Sequence, residues 1–86
     1  MKVFVVFDTS AESYQIKEEL SGMKSINGVN SIDLLERVAG EVPRYCVTYD
    51  IDDNVAKETG ESLRKAINQY LQYMSNLAWG AYKEIG

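Results

Sequence analysis

The 86-residue chain contains no histidine. This absence excludes the Ser-His and Cys-His nucleophile pairs, histidine-ligated haem and the common zinc sites. Any acid–base chemistry near neutral pH would therefore fall to Asp, Glu, Tyr or Lys side chains whose pKa values are shifted by their surroundings.

Cysteine, basic clusters and long apolar runs are also scarce. The single cysteine, Cys46, cannot form an intrachain disulfide, and its position within a predicted strand indicates a core thiol. A net charge of −4 without a basic cluster argues against a nucleic-acid partner. The longest apolar run, residues 3–7, is far too short to span a membrane, and we expect no signal peptide. We therefore expect a cytoplasmic protein that binds neither nucleic acid nor membrane.

The composition predicts one folded domain over residues 1–86. Hydrophobic residues make up 45% of the chain and charged residues 26%, which is typical of a globular protein. A chain of this length buries only about 60–65% of its unfolded surface, so self-association would be a natural source of further stability.

The fold prediction starts from residues 43–53, which open on the only proline. Apolar and more polar side chains alternate here, and a period of two predicts a β-strand with one apolar face. That face carries Tyr45, Val47, Tyr49 and Ile51. Residues 2–7 are apolar on both faces, which predicts a second strand, central in its sheet.

Apolar stripes predict two helices. The first follows capping side chains at residues 8–10, with capping-box spacing between Thr9 and Glu12, and stops near Gly22. The second runs from Asn54 and ends at Ser75-Asn76. Gly60 interrupts its apolar stripe, which predicts either close packing against a neighbouring element or a bend in the helix at this residue. Their predicted buried faces are Ile16, Leu20 and Met23 in the first helix, and Ala56, Thr59, Leu63, Ala66, Ile67, Tyr70 and Met74 in the second.

Residues 31–39 fit a strand and a helix equally well by periodicity. Turn signals at residues 27–28 and 40–43 favour a strand, paired as a hairpin with residues 43–53. Residues 77–85 return to extended chain. The element order is then βαββαβ, an α+β fold, and right-handed crossovers place both helices on one face of a four-stranded antiparallel sheet.

The uncovered face of that sheet predicts a homodimer. Residues 2–7 carry apolar side chains on both faces, so the set that points away from the helices forms an exposed apolar patch. A second copy meeting this patch face to face would bury it, and two-fold pairing is the commonest arrangement.

Three segments carry a family resemblance: Asn27-Gly28-Val29, Pro43-Arg44-Tyr45 with Tyr49-Asp50-Ile51, and Leu77-Ala78-Trp79-Gly80-Ala81-Tyr82. They resemble the ferredoxin-like dimeric α/β-barrel superfamily, and its EthD-like and small monooxygenase-like branches in particular. The resemblance implies a ferredoxin-like domain that pairs into a dimeric α/β barrel. Members include cofactor-free oxygenases, isomerases, haem-degrading enzymes, stress proteins and ligand-sensing domains. Many of the enzymes rely on a histidine, which this chain lacks.

Aromatic side chains could line a pocket for a planar apolar ligand, with phenol groups as orienting donors, or could form the core and the subunit interface. They are Tyr45, Tyr49, Tyr70, Tyr73, Trp79 and Tyr82. Asp8, between the first strand and the first helix, is the candidate general base, with helix capping as its alternative role.

The acidic residues of segment 50–61 match ligand positions of a calcium-binding loop. However, Val55 replaces the required turn glycine, and Lys57 stands where an apolar residue is usual. Carboxylates also gather at helix N-termini because the helix dipole favours them. We therefore expect no metal, and the glycine spacing predicts no nucleotide cofactor either.

Two classes of function remain. The first is a non-catalytic homodimer that binds a small molecule or serves a structural role. The second is a cofactor-free enzyme, oxygenase-like or isomerase-like, in which Asp or Tyr moves a proton on a small apolar or aromatic substrate. A carboxylate with a raised pKa inside a sizeable cavity would favour the enzyme, and we expect the first class.

Overall fold

The computed structural model describes residues 1–70 and 74–86, apart from the side chains of residues 55, 56, 59 and 70. The strands are β1 Lys2–Thr9, β2 Val29–Glu36, β3 Tyr45–Ile51 and β4 Met74–Tyr82. The helices are α1 Ser13–Met23 and α2 Ala56–Tyr70, and a short 3-10 turn at Asp53–Val55 precedes α2. Within these described residues, neither helix has the length and apolar character needed to cross a membrane.

The strands form one antiparallel sheet in the order β2-β3-β1-β4. Together with the βαββαβ succession of elements, this order gives the predicted ferredoxin-like α+β fold. The first strand is central, between β3 and β4, as its apolar run predicts. Residues 29–36 form a strand that pairs with β3, which confirms the hairpin and decides between the two interpretations of this segment.

Alternation along β1 and β3 determines which side chains enter the core. Val5 lies opposite Val47 in the register of the two strands, and both side chains are buried. The buried strand residues are Val3, Val5, Phe7, Tyr45, Val47, Tyr49 and Ile51, and those from the helices are Ile16, Leu20, Met23, Leu63, Ala66 and Ile67. Both helices therefore pack on the same face of the sheet. The predicted α2 stripe also included Ala56, Thr59 and Tyr70, whose side chains lie outside the described residues.

The predicted start of α1 is wrong. Its N-cap residue is Glu12, and the side chain of Gln15 reaches back to accept the backbone N–H of Glu12 at 2.8 Å, as in a capping box. Thr9 belongs to β1 and accepts a hydrogen bond from the backbone N–H of Ala11. The helix also continues through Gly22 to Met23, one residue past the predicted stop.

The predicted boundary between α2 and the last strand is also wrong. Met74 does not continue the helix but begins β4, where it pairs with Thr9 at the far end of β1. Consequently the pair at 75–76 lies within the strand, and residues 83–85 fall outside it. The physical reason is that β1 extends to Thr9, so its backbone groups require a partner strand along this whole length. Asn76 adopts a positive φ of 53° next to the register shift opposite Val6 and Asp8.

The alternation predicts unequal effects for one chemical change at two valines. Val47 is 0% exposed in the core, whereas Val38 is 100% exposed in the loop between β2 and β3. We expect Val47→Ala to lower the free energy of unfolding by about 2 kcal/mol, from lost burial and the cavity left behind. Val38→Ala is the matched control and should leave that free energy unchanged. Chemical denaturation measures both, and equal losses at the two positions would contradict the assigned core.

Candidate functional site

The candidate site is a groove between α2 and β4, on the helix-covered face of the sheet. Trp79 pairs with Val5 in the sheet register, so its side chain lies on the same face as the core. However, β4 is an edge strand, and the helices do not fully cover it: Leu77 remains 42% exposed and Trp79 45% exposed. The uncovered strip beside α2 forms a cavity of about 210 Å³.

The cavity has apolar walls and a short polar rim. Its lining consists of Val3, Val5, Gly60, Leu63, Arg64, Ile67, Asn68, Leu77 and Trp79. The guanidinium carbon of Arg64 lies 5.9 Å from the centre of the Trp79 ring, within the range of a cation–π contact. The groove can therefore accept an apolar group along its walls and a polar group at its rim.

Gly60 keeps the middle of the groove open. The helix continues through this residue without a break, and a Cβ atom placed there would meet no heavy atom within 4 Å. The predicted close contact at Gly60 is therefore wrong, because the missing side chain leaves open space instead. A second opening adjoins the cavity and shares Gly60 and Trp79 with it, so the groove continues toward Ala81.

The structure does not bring together those predicted aromatic residues whose side chains it describes. Tyr45 and Tyr49 are buried in the core among the helices. The Tyr49 hydroxyl donates to the sulfur of Met23 at 3.4 Å, and burial raises the pKa of Tyr49. The Tyr45 hydroxyl has no hydrogen-bond partner among the described residues. Neither phenol lines the groove, so neither can orient a ligand there.

The remaining aromatic candidates lie on different faces. Trp79 lines the groove, whereas Tyr82 lies on the opposite face of the sheet, where its ring meets Phe4 edge-on with the centroids 5.4 Å apart. This separation has a signal in the sequence, since residues three apart in a strand point to opposite faces. Tyr73 and the side chain of Tyr70 lie outside the described residues.

Asp8, in β1, lies away from the groove and binds both β4 and the residue that precedes β3. Its carboxylate accepts the backbone N–H of Arg44 at 2.8 Å and the side-chain amide of Asn76 at 3.0 Å. These hydrogen bonds hold the pKa of Asp8 below its usual value, so the carboxylate is a weaker proton acceptor than a free aspartate. Because Glu12 is the N-cap of α1, the alternative of helix capping by Asp8 is wrong.

The acidic segment 50–61 forms the end of β3, the 3-10 turn and the first turns of α2. Asp53 pairs with the N-terminal ammonium group of Met1 at 2.6 Å. Across the described part of the chain, no three acidic or cysteine side chains converge in a group that could hold a metal ion.

Gly60 and Arg64 are the groove residues that sequence reasoning missed. They lie four residues apart on α2, so they occupy neighbouring positions on one side of the helix. A glycine within an amphipathic helix, followed one turn later by an arginine, is the signal that the sequence offered. This signal indicates a groove only when β4 is known to lie beside α2.

No family model matches the chain, and no curated protein matches it. The resemblance to the dimeric α/β-barrel superfamily therefore stays a prediction beyond the ferredoxin-like order of the elements.

The hydrogen bonds of Asp8 predict a pH-dependent contribution to stability. Folding lowers the pKa of the Asp8 carboxylate from its ordinary value of 3.8. The carboxylate therefore contributes its full stabilisation at pH values above 3.8, and this stabilisation is lost as the pH falls through the pKa of the folded state. We expect the melting temperature of the wild-type protein to fall between about pH 5 and about pH 2, and that of Asp8→Asn to fall less.

The matched control is Asp52→Asn, which changes an exposed carboxylate just after β3 and should keep the full wild-type loss. Circular dichroism melts across the pH range measure all three proteins. Parallel curves for Asp8→Asn and the wild type would contradict the assigned role of Asp8.

Proposed function

We propose that the protein is a non-catalytic homodimer that binds a small apolar ligand in the groove between α2 and β4. The observation that carries this proposal is the open cavity of about 210 Å³ between apolar walls beside Trp79. An apolar cavity of about 150 Å³ is large enough to bind benzene, whereas drug-sized ligands occupy about 300 Å³ or more. The volume therefore suits one aromatic ring or a short hydrocarbon chain.

The groups around the groove favour binding over catalysis. Among the described residues, the cavity lining contains no Asp, Glu or Tyr side chain. Glu61 is exposed and lines the two openings beside the cavity. Hydrogen bonds lower the pKa values of Asp8 and Asp53, so neither carboxylate is a proton acceptor near neutral pH. A cofactor-free enzyme needs a group beside the substrate that accepts a proton near neutral pH. The described residues of the cavity lining supply none, which is why the enzyme is the second candidate.

The homodimer is proposed from the open face of the sheet. One row of side chains crosses the four strands in register and consists of Leu35, Cys46, Val6 and Ala78. Phe4 and Tyr82 extend this row into an apolar patch. Charged side chains of Lys2, Asp8, Asp33 and Asp50 surround it on the same face. An apolar centre with a polar rim is typical of a protein interface.

A second copy of the chain fits this patch better than a different partner. The apolar row crosses the whole sheet, so a two-fold axis through its middle brings the row against itself. Strand spacings make the four-stranded face roughly 19 by 23 Å, so two copies would bury about 900 Å², which is the range of weak and transient interfaces. We therefore propose a reversible dimer in which two sheets pack face to face about 10 Å apart.

Cys46 lies half-buried in the middle of this face, and burial raises the pKa of its thiol. A second copy would cover it fully, with no disulfide required. A free thiol at this position is compatible with a reducing compartment, so we propose the cytoplasm as the location.

Ligand binding can be tested with toluene, a neutral probe that matches the size of the cavity. We expect toluene to shift the NMR resonances of the Trp79 indole, because the only tryptophan of the chain lines the groove. Gly60→Leu should abolish these shifts by placing a side chain in the open space beside α2.

The matched control is Gly22→Leu, the same change on the exposed side of α1, which should bind toluene as the wild type does. The binding function would be contradicted by an unperturbed Trp79 at saturating toluene, or by equal binding to Gly60→Leu.

The homodimer can be tested by light scattering coupled to size exclusion. We expect the wild type to give the dimer mass at micromolar concentration and Val6→Asp to give the monomer mass, because an aspartate pair would be desolvated at the interface. Val38→Asp makes the same change in an exposed loop and should remain dimeric. Circular dichroism checks that both variants are folded. A wild-type protein that stays monomeric would rule out the proposed dimer.

A further inference from the structure

Among the described residues, Arg64 is the one charged residue that lines the 210 Å³ cavity itself. The openings beside this cavity also contain the exposed side chains of Lys57, Glu61 and Lys65. Among the described residues, no carboxylate lies within ion-pair distance of its guanidinium group. Glu61 precedes it by one turn of α2, but the two side chains form no ion pair. Arg64 instead lies over the ring of Trp79, at the edge of an apolar cavity, in a protein of net charge −4. A cation in this position is free to bind an anionic group.

We infer that the ligand of the groove is a small apolar molecule that bears one carboxylate, and that Arg64 holds this carboxylate. The inference rests on the proposed binding function, since it assigns the apolar part of the ligand to the same groove. The hydrocarbon part packs on the Trp79 indole and on the helix side chains Leu63 and Ile67, which line the opposite wall.

The chemistry of the arginine side chain suits this role. Its planar guanidinium group can donate two parallel hydrogen bonds to a carboxylate while its flat face stays on an indole ring. Asn68 lies one turn further along α2 on the same rim of the cavity, and its side-chain amide offers another donor. The rim thus presents two donor groups on one side of an otherwise apolar opening.

The number of charges favours a carboxylate over a phosphate. A phosphate monoester carries a charge of about −1.5 to −2 near neutral pH, whereas a carboxylate carries one negative charge. The described part of the cavity lining supplies a single cation, and the overall charge of −4 opposes any further negative charge. One carboxylate therefore matches the single positive charge of Arg64.

The test compares phenylacetate with phenylacetamide, two probes of the same size that differ in charge. Affinities are measured by NMR titration of the full chain, with the Trp79 indole resonance as the readout. We expect phenylacetamide to bind about tenfold more weakly than phenylacetate, because hydrogen bonds to ionised groups are stronger than neutral ones. Arg64→Gln should reduce the affinity for phenylacetate to that for phenylacetamide and leave the latter unchanged.

Lys65→Gln is the matched control, because it removes the same charge from the next residue of α2, which is exposed and outside the cavity lining. This variant should keep the preference for phenylacetate. If Lys65→Gln lowers that preference as much as Arg64→Gln does, a general field effect is at work and the assignment to Arg64 is overturned.

Failure of the inference and failure of the proposed function give different results. Equal affinities for the two probes, both abolished by Gly60→Leu, would overturn the carboxylate assignment and leave the apolar binding site standing. If neither these probes nor toluene shift the Trp79 resonance, the binding function itself is overturned.

Discussion

The rest of the structure depends on the two-residue alternation of side chains along the central strands β1 and β3. Because the strands pair in register, Val5 and Val47 lie opposite each other and point into one core with their alternate neighbours. A shift of the register by one residue would turn all of these side chains to the other face. Both helices pack on the face that this pattern makes apolar, and the opposite face therefore stays uncovered.

The position of β4 at the edge of the sheet follows from the βαββαβ order and creates the candidate site. The helices bury the central strands, whereas the helix-facing side chains of β4, Leu77 and Trp79, stay half-exposed. Gly60 adds space on the α2 side, and Arg64 places a positive charge at the rim. The groove and the open face thus have one cause, since two helices cannot cover both faces and all four strands.

The parts of the fold that the sequence could predict are those with an unambiguous period. The alternation within residues 43–53 predicted one strand, and the doubly apolar run of residues 2–7 predicted another that is central in the sheet; both are confirmed. Met74 was placed wrongly because it fits the helical stripe of α2, and only its pairing with Thr9 shows that it belongs to β4. For the site, Tyr45 and Tyr49 were candidates by residue type, although their alternation already placed them in the core. Arg64 could not be identified beforehand, because its role depends on a strand that is remote in sequence.

The central claim is that an open apolar groove lies between α2 and β4. A crystal structure determined under xenon pressure tests it most directly, because xenon enters empty apolar cavities and is located by its anomalous scattering. The account predicts a xenon peak between Gly60 and the indole of Trp79, close to Leu63 and Ile67. A groove filled by the protein's own side chains, with no xenon between α2 and β4, would contradict it.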